Sequence, residues 1–419
     1  MKTLFKNARI LTMKSKDIIF GDLLVENNRI KKIAKSINEE ADKVVDCEGN
    51  LLMPSFKNAH AHTAMIFARS IADDLPLHDW LFDSIFPMEA KFQEGDIYHL
   101  TKVGILEYLT SGISCAFDMY FNPPEIIKAS EELGFRSVIL ATSLSEPISL
   151  IKVRYLTLNK KDSLISYKIG IHAEYTTPLE RMKDIAALAN ELHAPVFLHI
   201  GETKDEVQGC VDRYGLRPVE LIDSIGMINY GGGGFHCNYF SINEIKIAKK
   251  RNFNIITCPA SNLKLASGIA PIYKYFKEGL NIAIGTDGAA SNNSLDMFKE
   301  MYLVSTLQKV VNNDASCMDG FEVLKFATVN GAKAMGLSDI DVLEEGKIAD
   351  IIMIDLSNPA MRPINNISKN IVYAGSKDIV KMTMINGKIL YYNHEFFINE
   401  DINEIYKKAQ QITERLSSK

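Results

Sequence analysis

The sequence has few features that would point away from an ordinary globular enzyme. Its six cysteines, Cys47, Cys115, Cys210, Cys237, Cys258 and Cys317, form no C-x-x-C pair. A chain of 419 residues needs no disulfide framework for stability, so reduced thiols and a cytoplasmic setting are expected. No stretch approaches the roughly 20 apolar residues of a membrane-spanning helix. The opening MKTLFKNARILTMKSKD breaks its apolar residues with Lys2, Lys6 and Arg9, so no secretion signal is read there. Positive charge is not in excess: the formal net charge is -5, which argues against a nucleic-acid partner and leaves a small molecule as the expected one. There is no low-complexity segment and no long linker. What is present is a hydrophobic fraction of 47% with 24% charged residues, an ordinary globular balance, in a chain long enough for one large domain and a smaller companion.

The texture divides the chain into three parts. Residues 1–53 alternate short apolar runs with turn residues, as strands do, and a similar texture returns over 344–419, with Asn386-Gly387 as a hairpin signal. The two end segments are expected to pair into a small discontinuous β-sandwich domain. The final DINEIYKKAQQITERLSSK is expected to be an amphipathic helix with Asp401 as N-cap. Between them, over 54–343, eight apolar runs alternate with helix-like stretches such as ERMKDIAALANELH and INEIKIAKKRNF. The runs are LMPSFKNAHAH, SCAFDMY, RSVILAT, YKIGIHAEY, APVFLHIGE, NYGGGGFHC, NIITCPAS and NIAIGTDG. Eight such repeats predict a closed (β/α)8 TIM-like barrel, an α/β fold.

Most runs end in a residue that can ligate a metal or move a proton: His60 and His62, Asp118, His172, His199 with Glu202, His236, and Asp287. In such a barrel the carboxyl ends of the strands converge on one mouth, so residues far apart in sequence meet there. His60 and His62 lie two apart on a strand, which aims both imidazoles to one side. Histidine nitrogens with a carboxylate oxygen are the donor set of a catalytic Zn²⁺ site. Taken alone, the pair could be polar residues closing a strand. Glu202, three residues after His199, is a candidate proton carrier or a glutamate at a helix start. Gly231–Gly234 before His236 allow close backbone approach; a phosphate cradle is a competing reading, but no Lys-Ser/Thr follows as in a P-loop. Asp118 reads as a buried partner that orients mouth residues.

The stretches MPSFKNAHAHTAM, LPLHDWLFDSIFPMEAKF, FLHIGETKDEV, TCPASNLKLASGIAP, GTDGAASNNSLDMF and LEEGKIADIIMID together resemble the amidohydrolase superfamily, in its methylthioadenosine/S-adenosylhomocysteine deaminase and chlorohydrolase branch. The resemblance covers nearly the whole chain. It implies that His60, His62, His199 and Asp287 bind one divalent metal, commonly zinc. It further implies that His236 contacts the activated water, that Glu202 protonates the ring nitrogen beside the attacked carbon, and that Asp287 relays a proton to the departing amine. Glu89 and His172 match substrate-contact positions, and Arg154 matches loosely an arginine that meets the substrate tail. The arginine common in the family near Ala141 and Thr142 has no counterpart, which favours a smaller adenosine-type nucleoside over S-adenosylhomocysteine. Ser55 stands where glycine is usual and Phe86 where tryptophan is frequent. The expected activity is therefore hydrolytic deamination of 5'-methylthioadenosine, S-adenosylhomocysteine or adenosine, in a protein that can be a homo-oligomer. The alternatives are a guanine, cytosine or pterin deaminase or an s-triazine chlorohydrolase on the same scaffold, and, from another class, a non-catalytic barrel scaffold.

Overall fold

The computed structural model describes residues 1–71, 73–140 and 144–418; Ala141 and Thr142 lie outside the described residues. Eight parallel strands follow one another around the large unit: Phe56–Ala61, Ile113–Met119, Arg136–Leu140, Ile165–Ala173, Val196–Ile200, Gly232–His236, Phe253–Thr257 and Ile282–Ile284. Each overlaps one of the eight apolar runs, with three of them starting one or two residues earlier. Their residues are almost all buried, as strands covered by helices on one face and packed around a barrel axis on the other must be. The ring closes between the last and first strands, where Asp287 N–H donates to the His60 carbonyl (3.0 Å) and Thr286 N–H to Asn58 Oδ1 (2.8 Å). Gly285 permits that approach, since a Cβ there would lie 2.8 Å from the His60 backbone nitrogen.

The small unit is built from both chain ends, as the texture implied. Leu51–Pro54 pairs antiparallel with Ile351–Ile354, which stitches the N-terminal strands to the C-terminal ones. The strands expected as a sandwich are hydrogen-bonded into one nine-stranded sheet. The long first strand, Lys2–Leu11, makes this possible. A register shift between Phe5 and Ala8 divides it, so that Thr3–Lys6 pairs with Lys43–Asp46 while Arg9 and Ile10 pair with Leu51 and Leu52. The run LMPSFKNAHAH is thus split at Ser55 between the sheet and the barrel. Ser55 Oγ donates to Ser114 Oγ (2.6 Å), and buried Lys57 donates to Ser55 Oγ (2.8 Å), filling with polar contacts the place where glycine is usual. Asp350 of the sheet completes this junction by accepting from Arg136 Nε (3.0 Å) and Asn386 N–H (2.8 Å).

The C-terminal helix, Ile402–Ser417, starts at Asp401, whose side chain accepts from Asn403 N–H. It does not join the sheet. Its buried Ile405, Ala409, Ile412 and Leu416 form one helical face, and Arg415 pairs with Asp96 at the start of the barrel helix Asp96–Thr110. Among the described residues, no helix is long and apolar enough to cross a membrane, and all six cysteines are free and buried.

Candidate active site

At the carboxyl ends of the barrel strands, ring nitrogens of His60, His62 and His199 lie within 4.8 Å of one another, as do donor atoms of His60, His236 and Asp287. His62 and Asp287 pair at 3.3 Å, His60 and Asp287 at 3.6 Å, and the Nε2 atoms of His60 and His199 are 3.1 Å apart. Hydrogen bonds fix which ring nitrogens carry protons. His62 Nδ1 sits 2.5 Å from the Met119 carbonyl and His199 Nδ1 sits 3.0 Å from the His172 carbonyl. A carbonyl only accepts, so both rings donate from Nδ1 and present Nε2 lone pairs inward. Lone pairs and a carboxylate gathered in a buried space repel one another unless a cation stands among them. Burial, followed by the neighbouring imidazoles, pulls the pKa values of His60 and His199 well down, so these rings do not supply the missing charge themselves. Nitrogen donors with one carboxylate oxygen fit a single divalent ion of the zinc type.

The remaining groups surround this cluster. Asp287 and His236 both adopt left-handed backbone (φ 61° and 71°), uncommon for residues with side chains and concentrated where function holds them. Ser261 Oγ donates to Asp287 Oδ2 (2.6 Å), and Asn262 Oδ1 meets His236 Nδ1 (2.8 Å). Burial opposes the charge on Asp287, but the surrounding imidazoles and the Ser261 hydrogen bond together outweigh it and hold the carboxyl below the usual carboxylate range. For His236 the balance is similar in kind. Burial lowers its pKa, and the carboxylates of Glu202 and Asp287 raise it further than burial lowers it. Glu202 is buried, 3.7 Å from His236 and within 3.1 Å of the Ser267 hydroxyl that donates to it. Burial raises the Glu202 pKa from its ordinary value, the direction that favours a carboxyl able to deliver a proton.

A cavity of about 570 Å³ opens above these groups. Glu89 and His172 line it with His62, His199, Glu202, His236 and Asp287, while Trp80, Leu81, Phe82, Phe86 and Leu144 give it an apolar wall. His172 is held by Thr176 Oγ1 (2.8 Å), and burial lowers its pKa to about 4. Arg154 is not among the described lining residues; it pairs with Glu146 beside Tyr167. Asp118 accepts from Thr63 N–H (3.0 Å), which fixes the turn directly after His62.

Several contributors were not singled out from the sequence. Tyr120 donates to Glu89 Oε1 (2.5 Å), and Ser261, Asn262 and Ser267 orient the acidic and imidazole groups. Glu206 accepts from the backbone N–H of both Gly201 and Glu202 (2.7 Å each). The signal for Glu206 was the Thr203-x-x-Glu206 spacing, a helix-start pattern; Thr203 Oγ1 indeed accepts from Glu206 N–H. For Tyr120 no local signal exists, since its partner is 31 residues away.

Glu89 carries a pH dependence of its own. Burial raises its pKa to about 7, against the lowering effect of the Tyr120 hydrogen bond. Above that pH the carboxylate accepts hydrogen bonds, and below it the acid loses one acceptor. If Glu89 meets substrate hydroxyls, KM is expected to rise as pH falls through about 7 and to stay flat above it. Glu89→Gln is expected to raise KM at high pH by about tenfold or more, the scale of a hydrogen bond to a charged group, and to flatten the profile. A profile identical to the parent's would separate Glu89 from substrate.

The amidohydrolase family model matches residues 51–390. A 5-methylthioadenosine/S-adenosylhomocysteine deaminase of Pyrococcus furiosus is 37% identical over 408 residues, covering 95% of this chain and 97% of the relative. Another, from Caldanaerobacter subterraneus, is 35% identical with 99% of each chain covered. Among solved structures, an adenosine deaminase from Xanthomonas campestris with bound zinc superimposes with a TM-score of 0.94 at 31% identity, covering 99% of this chain and 98% of that one.

Proposed function

Because the chain belongs to the amidohydrolase family, we propose that it is a metal-dependent aminohydrolase, acting on a carbon–nitrogen bond, that converts adenosine-type nucleosides to their inosine analogues and ammonia. The observation that carries this reading is a buried Glu202 carboxyl, placed with His236 and Asp287 beside the clustered imidazoles of His60, His62 and His199, in a cavity that Glu89 also lines.

His60, His62, His199 and Asp287 are the residues that would hold the metal, proposed to be zinc. When bound, it lowers the pKa of water so that a nucleophile is available at neutral pH. The protein's own groups do the rest. His236, fixed by Asn262, orients the attacking water towards the amine-bearing carbon. Asp287 takes one proton from that water. As the new carbon–oxygen bond forms, Glu202 gives its proton to the adjacent ring nitrogen, so that no negative charge accumulates on the ring. Asp287 passes its proton to the amino group, the carbon–nitrogen bond breaks, and ammonia leaves. The remaining hydroxyl proton restores the Glu202 acid as the carbonyl forms. His172 and the apolar wall position the purine, and Glu89 accepts from ribose hydroxyls.

The apolar wall of Trp80, Phe82, Phe86 and Leu144, together with the engagement of Arg154 by Glu146, supports a substrate with an uncharged tail, 5'-methylthioadenosine or adenosine, ahead of S-adenosylhomocysteine. A cytoplasmic location is part of this proposal, supported by the six unpaired cysteines. The test is a panel of these three nucleosides with guanine, cytosine, a pterin and a chloro-s-triazine, read by ammonia and chloride release. The expected outcome is ammonia from the nucleosides, with the uncharged ones preferred. Chloride from the triazine, or ammonia only from free bases, would replace this reading with one of the alternatives.

A further inference from the structure

The amino ends of the same strands enclose a second cavity, of about 400 Å³, at the floor of the barrel. Four of its lining residues are cations, Lys168, Lys250, Arg251 and Lys333, and no aspartate or glutamate is among the described lining residues. This concentration stands out in a chain whose net charge is -5. Arg251 is neutralised by Asp223 (2.6 Å). Among the described residues, no carboxylate lies within ion-pairing distance of Lys168, Lys250 or Lys333, and none of the three makes a hydrogen bond through its amine.

Lys168 is the most telling of these. It pairs in register with Leu140 of the neighbouring strand, which packs in the barrel interior, and lines the cavity beside Phe197 of the same interior cluster. Its Nζ packs against Gly336, where a Cβ would come within 3.2 Å. Burial lowers its pKa, with no acidic group opposing that effect. A half-buried ammonium without a counter-charge is unfavourable unless an anion joins it.

The glycine run contributes to the same place. Gly231 and Gly232 line the floor, and at Gly232 (φ +135°) a Cβ would sit 1.8 Å from the Val196 carbonyl oxygen, so only glycine fits this position of the lining. At the rim, the Tyr230 ring packs against His193 (centroids 4.5 Å apart) and is still 45% exposed beside Asn229 and Asn252.

We propose that this floor cavity is a binding site for a phosphate-bearing small anion, of a size up to a nucleoside monophosphate, with Lys168, Lys250 and Lys333 as its charge partners. The three ammonium groups meet the phosphate as point charges, and Tyr230 offers a stacking surface for an attached ring. The reading does not depend on what the opposite mouth catalyses.

The test is calorimetric titration of the metal-loaded enzyme with AMP, with inorganic phosphate, and with adenosine as a control for the catalytic cavity. Saturable binding of AMP or phosphate that weakens with added salt is expected. The Lys168→Gln/Lys333→Gln double variant is expected to weaken it at least about tenfold, as loss of charge-assisted contacts should. Its deaminase activity without added anion is expected to stay unchanged. Tighter binding of AMP than of phosphate would assign the site to a nucleotide, and the reverse to the free ion. Binding that survives in the double variant, or no saturation by about 10 mM of either anion, a level weaker than about -3 kcal/mol, would overturn the proposal. Should the double variant not fold, Lys250→Gln at an exposed position carries the same comparison.

Discussion

Glu202→Gln is expected to bind the same metal as the parent enzyme and to lose nearly all ammonia release. The side chains are almost the same size, and the amide can still accept from Ser267 at the position where Glu202 now receives a 3.1 Å hydrogen bond. What the amide lacks is a transferable proton. General acid–base contributions run from about 10² to about 10⁴ in rate. In the proposed mechanism Glu202 acts together with Asp287 and His236, so the loss is expected to reach at least about 10³-fold rather than one additive share. Two measurements on one sample decide it: elemental analysis for metal and an ammonia assay for turnover. Normal turnover would remove Glu202 from the mechanism, whereas loss of metal would make it part of the metal's surroundings.

The second large effect is expected at His199. Its Nε2 lies 3.1 Å from that of His60, and its Nδ1 is held by the His172 carbonyl, so its lone pair is aimed before any ion arrives. His199→Ala is expected to weaken metal affinity by more than about 100-fold, since even the loss of partners behind metal ligands costs 10- to 100-fold. Stability should report the same event. An ion that binds only the folded chain adds about 4 kcal/mol at a thousand times its dissociation constant. Chelation is therefore expected to lower the Tm of the parent but to leave that of His199→Ala in place. Full metal occupancy in the variant would contradict the ligand assignment.

The residues at the mouth were legible because strand ends are where a parallel barrel converges, and each of His60, His62, His199, His236 and Asp287 closes an apolar run. Their partners were less so. Ser261 and Asn262 lie in the short helix Pro259–Lys264 and Ser267 in the loop after it, polar residues like many others until the chain folds them under Asp287, His236 and Glu202. Tyr120 follows the second strand like an ordinary buried aromatic, and only the approach of the helical segment around Glu89 gives its hydroxyl a partner. Arg154 matched a motif loosely, and its place beside Glu146 follows from the course of the loop before it. The C-terminal helix was readable as a helix from its period. Its docking partner was not, because an amphipathic face specifies burial without specifying what covers it.

The sequence by itself determined the order of the strands, the residues at their carboxyl ends and hence the candidate donor set and the candidate acid, because strand period and hydrophobic runs are local properties. Tertiary structure decided which lone pairs face one another, which carboxyls are buried enough to hold a proton and where uncompensated lysines gather. These depend on desolvation and on distances of a few ångströms between residues tens to hundreds apart in the chain, and such distances exist only once the barrel has closed.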